Sequence, residues 1–148
     1  MAKLNILKDS DPTLHKISRP VDKITPRVQT LLDDMAETMR AADGCGLAAV
    51  QVGVLRRIAL VETEEVGLVE LINPVIINRT GVQHNIEGCL SFPGEYGYTE
   101  RPQQVTVRAQ NRNGEFFEVT GTDLTARAFC HEIDHLDGVV FKDHARML

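Results

Sequence analysis

Residues 122–138, which read TDLTARAFCHEIDHLDG, decide the fold. Thr122 is a residue type favoured at helix N-caps, and Gly138 is the type favoured just beyond a helix C-terminus. The apolar residues between them are spaced so that they share one helical face; they are Leu124, Phe129, Ile133 and Leu136. The sequence therefore predicts a helix from Thr122 to about Asp137, packed through that face on the rest of the chain.

His131 and His135 are four residues apart in this predicted helix, so both imidazoles project from the same side. Two imidazoles in this arrangement can bind one metal ion. Glu132 lies beside them, where it is poorly placed as a ligand but can take a proton from metal-bound water. The alternative is a solvated helix face that happens to carry these three residues.

A catalytic site of this kind needs a third protein ligand and one open position. Phe141 stands where the longer metalloprotease pattern places its third histidine, so that pattern is excluded. Upstream, after a predicted strand, residues 87–91 read EGCLS, and Cys89 offers a thiolate, a strong metal ligand. Cys45 and Cys130 are interpreted as small buried apolar residues.

The rest of the chain predicts one further helix and several strands. Thr25 and Pro26 begin a helix that ends near Asp43-Gly44, and residues 1–24, interrupted by prolines, form an arm laid over the domain. The predicted strands are residues 58–61, residues 69–77 with a break at Pro74, and a hairpin of residues 105–110 and 116–120. The expected class is α+β, with mainly antiparallel strands packed around a central metal-binding helix and a second, N-terminal helix, in a single domain spanning 1–148.

Composition limits the function further. The 148 residues include 16 Lys and Arg against 21 Asp and Glu, for a net charge of −5, which disfavours nucleic acid as a partner. The 3 cysteines are too few and odd in number for a disulfide framework, which favours a reducing compartment. Because no export signal or long apolar run occurs, we expect a cytoplasmic protein without membrane insertion.

Three segments together resemble the three motifs of the peptide deformylase family. They are GCGLAAVQ at residues 44–51, EGCLS at residues 87–91 and HEIDH at residues 131–135. Each motif alone is moderately specific, whereas all three in this order and at this spacing are highly specific. The likeness spans nearly the whole chain, including the arm with Asp11-Pro12 and the helix that begins after Thr25.

This resemblance implies hydrolytic removal of the formyl group from the N-terminal formyl-methionine of new polypeptides, with release of formate. Cys89, His131 and His135 would hold one divalent metal, Fe(II) in cells, with Zn(II), Ni(II) or Co(II) able to replace it. Metal-bound water would be the nucleophile and Glu132 the general base and acid. The side-chain amide of Gln51 and the backbone N–H of Leu90 would stabilise the oxyanion. The partners would be N-formylmethionyl nascent chains, hence transiently the ribosome, in a cytoplasm of bacterial type.

The resemblance also suggests how the substrate is held. An extended peptide would approach the backbone at Gly46, and Leu47, Leu124 and Ala128 are candidates to line its methionine pocket. Glu87 and Asp134 are candidates to orient an imidazole, and a salt-bridged role for Asp134 stays open. Few residues follow His135, so docking through the long C-terminal helix of many relatives is not expected, and residues 94–98 receive no substrate role.

Two other functions are compatible with the same residues. One is a different metallohydrolase, either a small peptidase or a deacylase that accepts longer N-acyl groups. The other is a binding module with a structural metal, which would require a closed site of four ligands. The sequence offers three strong ligands, which favours a catalytic site over a structural one.

Overall fold

The computed structural model describes residues 2–148, so Met1 of the predicted domain lies outside the described residues. This range contains two α-helices and eight strands, and the predicted α+β class is confirmed. In chain order they are α1 (Pro26–Ala41), β1 (Gly46–Ala48), β2 (Ile58–Thr63), β3 (Gly67–Thr80), β4 (Gln83–Cys89), β5 (Phe92–Arg101), β6 (Gln104–Gln110), β7 (Phe116–Thr122), α2 (Asp123–Leu136) and β8 (Arg146–Met147).

The strands form two antiparallel sheets. The five-stranded sheet has the order β1-β2-β3-β6-β7, and the three-stranded sheet has the order β4-β5-β8. Strands β1 and β4 are therefore edge strands of different sheets. An edge strand presents backbone N–H and C=O groups that an added strand can pair with.

Helix α2 lies at the centre of the molecule, as predicted. Phe129 and Leu136 are fully buried in the largest apolar cluster, where they pack with Val61, Leu71 and Val107 of the five-stranded sheet. Burying the apolar face of α2 in this way fixes the polar residues of the same helix relative to the five-stranded sheet. No helix within residues 2–148 is long and apolar enough to span a membrane.

Helix α1 covers a second apolar cluster, in which Leu32, Met35 and Met39 pack with Leu47 and Ile58. The helix begins at Pro26, as predicted, and ends at Ala41, slightly before the predicted end. Asp43 follows with a left-handed φ of 56°, which turns the chain out of the helix and into β1.

Strand β3 differs from its prediction, because it continues through Pro74. Its register with β6 shifts between Ile72 and Val75, and Asn73 adopts a φ of 53°. A β-bulge leaves a residue unpaired, so a proline without an N–H fits there without loss of a ladder hydrogen bond.

The N-terminal arm connects the two sheets beside the last residues of β4. The N–H of Leu7 donates to the carbonyl of Gln51 at 2.7 Å, and the N–H of Asp9 donates to the carbonyl of Ser91 at 2.8 Å. The arm is therefore laid over the domain as predicted. These two hydrogen bonds hold the segments that carry Gln51 and Ser91 close together.

Candidate metal centre and cleft

Helix α2 and the end of β4 bring three potential ligands together. The ligand atoms of Cys89, His131 and His135 all lie within 4.8 Å of one another. The Cys89 sulfur lies 3.4 Å from Nε2 of His135, which lies 3.2 Å from Nε2 of His131. Both histidines are buried, and Cys89 is partly buried at the cleft surface.

Glu87 lies behind this centre and contacts one of its imidazoles. Its Oε2 lies 2.6 Å from Nδ1 of His131. Arg101 donates to both carboxylate oxygens, at 3.1 and 2.8 Å, and the Thr99 hydroxyl donates to Oε1 at 2.9 Å. Burial alone would raise the pKa of Glu87, but the hydrogen bonds from His131 and Arg101 hold it well below its ordinary value.

Asp134 does not contact an imidazole of the centre, so the orienting role considered for it is wrong. Its Oδ2 accepts from Nη1 of Arg101 at 2.6 Å, which is the salt-bridged alternative. Arg101 thereby links α2 to Glu87. The sequence analysis did not identify Arg101 and Thr99 as part of the site. They are two residues apart in β5 and therefore face the same side of the strand, and Arg101 is opposite Gln83 of β4.

Glu132 is buried beside the potential ligands, on the floor of the cleft. Its Oε1 has no hydrogen-bond partner among residues 2–148, and burial raises its pKa to about 7. Gly46 of β1 faces this carboxylate, and a Cβ at Gly46 would lie 2.9 Å from Cδ of Glu132. The absence of a side chain at Gly46 thus makes room for the carboxylate.

Gln51 has a fixed amide orientation next to Cys89. Its Oε1 accepts from the N–H of Ala48 at 2.9 Å, and its Nε2 donates to the hydroxyl of Ser91 at 3.1 Å. The same Nε2 lies 3.6 Å from the Cys89 sulfur. Because a backbone donor can pair only with the amide oxygen, the NH₂ group must face the centre. Leu90, whose N–H the family resemblance implies as an oxyanion donor, also lines the cleft.

The cleft has a volume of about 570 Å³ and lies between the edge strands β1 and β4. Gly46, Leu124 and Ala128, three of the predicted substrate-binding residues, line it. Leu47 does not belong to its lining, so the expectation for this side chain is corrected. Successive side chains of a strand point to opposite faces, and Leu47 is fully buried in the cluster beneath α1.

The three cysteines are free thiols in different surroundings. Cys130 is buried in the apolar cluster around α2, in agreement with its interpretation as a small apolar residue. Cys45 packs against the same cluster and also lines the cleft. Burial raises the pKa of both thiols, so neither resembles a ready thiolate ligand at neutral pH.

Comparison with known proteins identifies the family of this chain. Residues 3–148 match the family model described as polypeptide deformylase. The chain belongs to the polypeptide deformylase family. The activity that defines this family, removal of the N-terminal formyl group from nascent polypeptides, is therefore the activity of the chain.

Individual deformylases resemble the chain over nearly its whole length. The peptide deformylase of Alkaliphilus metalliredigens is 57% identical over 138 residues, which cover 93% of this chain and 93% of that relative. The crystal structure of the peptide deformylase from Thermotoga maritima has a TM-score of 0.92 at 38% identity, covering 96% of this chain and 97% of that one. The Ehrlichia chaffeensis peptide deformylase in complex with actinonin has a TM-score of 0.94 at 39% identity, covering 97% of this chain and 89% of that one.

The deformylase family is metal-dependent, and the residues of this centre fit a metal ion. One thiolate and two imidazoles supply three donors, which is the number that a catalytic metal site takes from the protein. Glu87 beside His131 is the carboxylate partner that metal-bound imidazoles usually have. A cation held there would also compensate the charge of the buried Glu132, whose Oε1 has no hydrogen-bond partner among the described residues.

Proposed function

We propose that this deformylase hydrolyses the formyl-methionine amide at a divalent metal held by Cys89, His131 and His135, with Glu132 as general base and acid. The observation that carries the proposal is the convergence of the three ligand atoms within 4.8 Å at the floor of a cleft. When bound there, the metal would polarise the formyl carbonyl and lower the pKa of a water molecule.

Iron(II) is the proposed metal in cells, with Zn(II), Ni(II) or Co(II) as possible replacements. The support for iron is the resemblance to the family, because ligand chemistry alone would make zinc the default. A thiolate from Cys89 leaves the divalent site with a net charge of +1 if both imidazoles are neutral. Ferrous iron beside a thiolate predicts loss of activity in air through oxidation of the metal or the sulfur.

Glu132 is proposed to move the proton. A buried carboxylate next in the chain to a metal ligand can accept a proton from a water molecule and return it to the leaving amine. Its burial excludes bulk water as a competing proton acceptor. The close approach of Gly46 limits the positions open to this carboxylate, so it stays beside the reacting atoms.

Gln51 and Leu90 are proposed to stabilise the negative charge that develops on the formyl oxygen. The NH₂ group of Gln51 is directed toward the centre by the contacts with Ala48 and Ser91. One of its two hydrogens is taken by Ser91, which leaves the other near the Cys89 sulfur for the oxyanion. The backbone N–H of Leu90 would be the second donor.

The substrate is proposed to bind as an added strand between β1 and β4. Both are edge strands, and Gly46 lies on one side of the cleft while the end of β4 lies on the other. The methionine side chain would occupy the space beside Leu124 and Ala128 of α2, which line the same cleft. Because backbone pairing does not depend on side chains, this mode of binding predicts that peptides of different sequence are accepted.

We further infer a single catalytic domain over residues 1–148 that works in the cytoplasm. The match to the family over residues 3–148 supports one domain. Since formylated peptides are nascent chains, the protein would act transiently at the ribosome. Direct nucleic-acid binding is not proposed, because the net charge of −5 opposes it.

The discriminating experiment compares acyl groups on one peptide. Anaerobically purified, metal-loaded protein should release formate from formyl-Met-Ala-Ser much faster than it releases acetate from acetyl-Met-Ala-Ser. The added methyl group must fit beside the metal ligands, which disfavours the longer acyl group. Comparable rates would instead indicate a general deacylase, and cleavage of the Met-Ala bond would indicate a peptidase.

A further inference from the structure

One face of the three-stranded sheet continues outward from the cleft. Ile86 of β4 is directly opposite Tyr98 of β5, so their side chains share a face. Tyr96 is two residues from Tyr98 along the same strand and therefore shares that face as well. Ile86 and Tyr96 both line the cleft, whereas Glu87 points to the opposite face, toward α2.

Ile86 and Tyr98 form the next row along this face, and this row is apolar and open to solvent. Ile86 is 47% exposed and Tyr98 is 40% exposed. Strand β8 pairs with β5 at this point, and its Arg146 guanidinium lies 5.0 Å from the centre of the Tyr98 ring. Backbone pairing on both sides of Tyr98 holds the row in place, so a ligand would not have to order it. An exposed apolar surface that is continuous with a binding cleft is typical of an interaction site.

The position of this row matches the path of an extended peptide. Ile86 precedes Cys89 by three positions in β4, which corresponds to about 10 Å at ~3.3 Å per residue. A peptide that runs along the β4 edge has the same rise per residue. With its formyl group at Cys89, it would therefore reach Ile86 and Tyr98 with its third or fourth residue.

We propose that Ile86 and Tyr98 form a subsite for an apolar side chain at the third or fourth residue of the formylated peptide, a role that the sequence did not predict for residues 94–98. The proposal rests on the proposed function, since it requires an extended peptide in the cleft. Arg146 covers one side of the Tyr98 ring, and the Ile86 side chain lies opposite on β4. An aromatic or large aliphatic substrate side chain would remove apolar surface of both residues from water.

The test compares formyl-Met-Ala-Ser-Ser-Ser-Ser with versions that carry a single phenylalanine at position three or four. Steady-state kcat/KM is measured with the metal-loaded enzyme, and formyl-Met-Ala-Ser serves as the reference for each variant. Phenylalanine at one of the two positions should raise kcat/KM roughly fivefold, mainly through KM, because the contact is made equally in the ground state and the transition state.

Substitution of the row should remove this preference. In Tyr98→Thr, which keeps a residue suited to a strand, the ratio of kcat/KM for the phenylalanine and serine peptides should fall to about one. Ile86→Thr should lower the same ratio. Phe116→Thr is the matched control, because Phe116 is also exposed beneath an arginine, Arg108 at 4.8 Å, but belongs to the five-stranded sheet. Its ratio should equal that of the wild type.

A wild-type ratio near one would overturn the subsite, and so would a preference that survives in Tyr98→Thr. A loss in Tyr98→Thr that is proportionally equal for all peptides would also overturn it, since the ratio would then be unchanged. Failure of the wild type to deformylate formyl-Met-Ala-Ser would be a different result. It would reject the proposed function, and the subsite together with it.

Discussion

Nδ1 of His131 lies 2.6 Å from Oε2 of Glu87, so a buried carboxylate of β4 orients a potential metal ligand of α2. Glu87→Gln should therefore lower metal affinity about 10- to 100-fold, the usual effect of removing such a partner. Competition with a chromophoric chelator measures the change. Glu100→Gln, in the same hairpin but highly exposed, is the control and should bind metal like the wild type.

Glu87 should also make stability depend on pH. Burial would raise its pKa, but hydrogen bonds from His131 and Arg101 lower it below the value of 4.5 expected in the unfolded chain. A lowered pKa in the folded state contributes stability above the unfolded pKa, and this contribution is lost as the pH falls further. Urea unfolding of the metal-free protein should show an advantage of wild type over Glu87→Gln that shrinks as the pH falls below about 4.5. An advantage that does not shrink between about pH 4.5 and 3.5 would contradict this account.

Gly46 should be needed for the position of Glu132. A Cβ at this residue would collide with the carboxylate, so Gly46→Ala should lower kcat by at least about tenfold while metal content stays unchanged. Glu132→Gln should retain metal, and its kcat should fall roughly 100-fold or more. If Gly46 acts through Glu132, the double variant should be little slower than Glu132→Gln alone. If the two losses in kcat instead multiply in the double variant, Gly46 does not act through Glu132.

The orientation of Gln51 should control the rate rather than substrate affinity. Gln51→Ala should lower kcat roughly 100-fold with little change in KM, as expected when an oxyanion donor is lost. Ser91→Ala should have a smaller effect in the same direction, because the amide keeps its hydrogen bond from Ala48. Steady-state kinetics on formyl-Met-Ala-Ser measures both. A rise in KM at constant kcat would assign Gln51 to substrate binding instead.

The sequence predicted best those elements whose structure depends on residues close together in the chain. The apolar period of residues 122–138 predicts α2, and the spacing of His131 and His135 within it requires that both imidazoles share a face. Strands β6 and β7 show the same agreement, because their side chains alternate around the Asn113-Gly114 turn. In each case the residues that decide the structure are near neighbours in the chain.

The β4–β5 hairpin was only partly predictable because its buried face is polar. Glu87, Thr99 and Arg101 occupy positions where a strand normally carries apolar residues, so the usual alternation is missing. Their burial is compensated by contacts with α2 that only the tertiary structure reveals. The orientation of Leu47 was unpredictable for a similar reason, since β1 is three residues long and buried throughout.

X-ray absorption spectroscopy of the zinc-loaded protein tests the metal centre most directly. One sulfur at about 2.3 Å and two nitrogens at about 2.0–2.1 Å from the protein should surround the metal. Cys89→Ala should lose the sulfur contribution and most of its metal affinity, whereas Cys45→Ala and Cys130→Ala should keep both. A coordination shell without sulfur in the wild type, or a sulfur that persists in Cys89→Ala, would contradict the proposed centre.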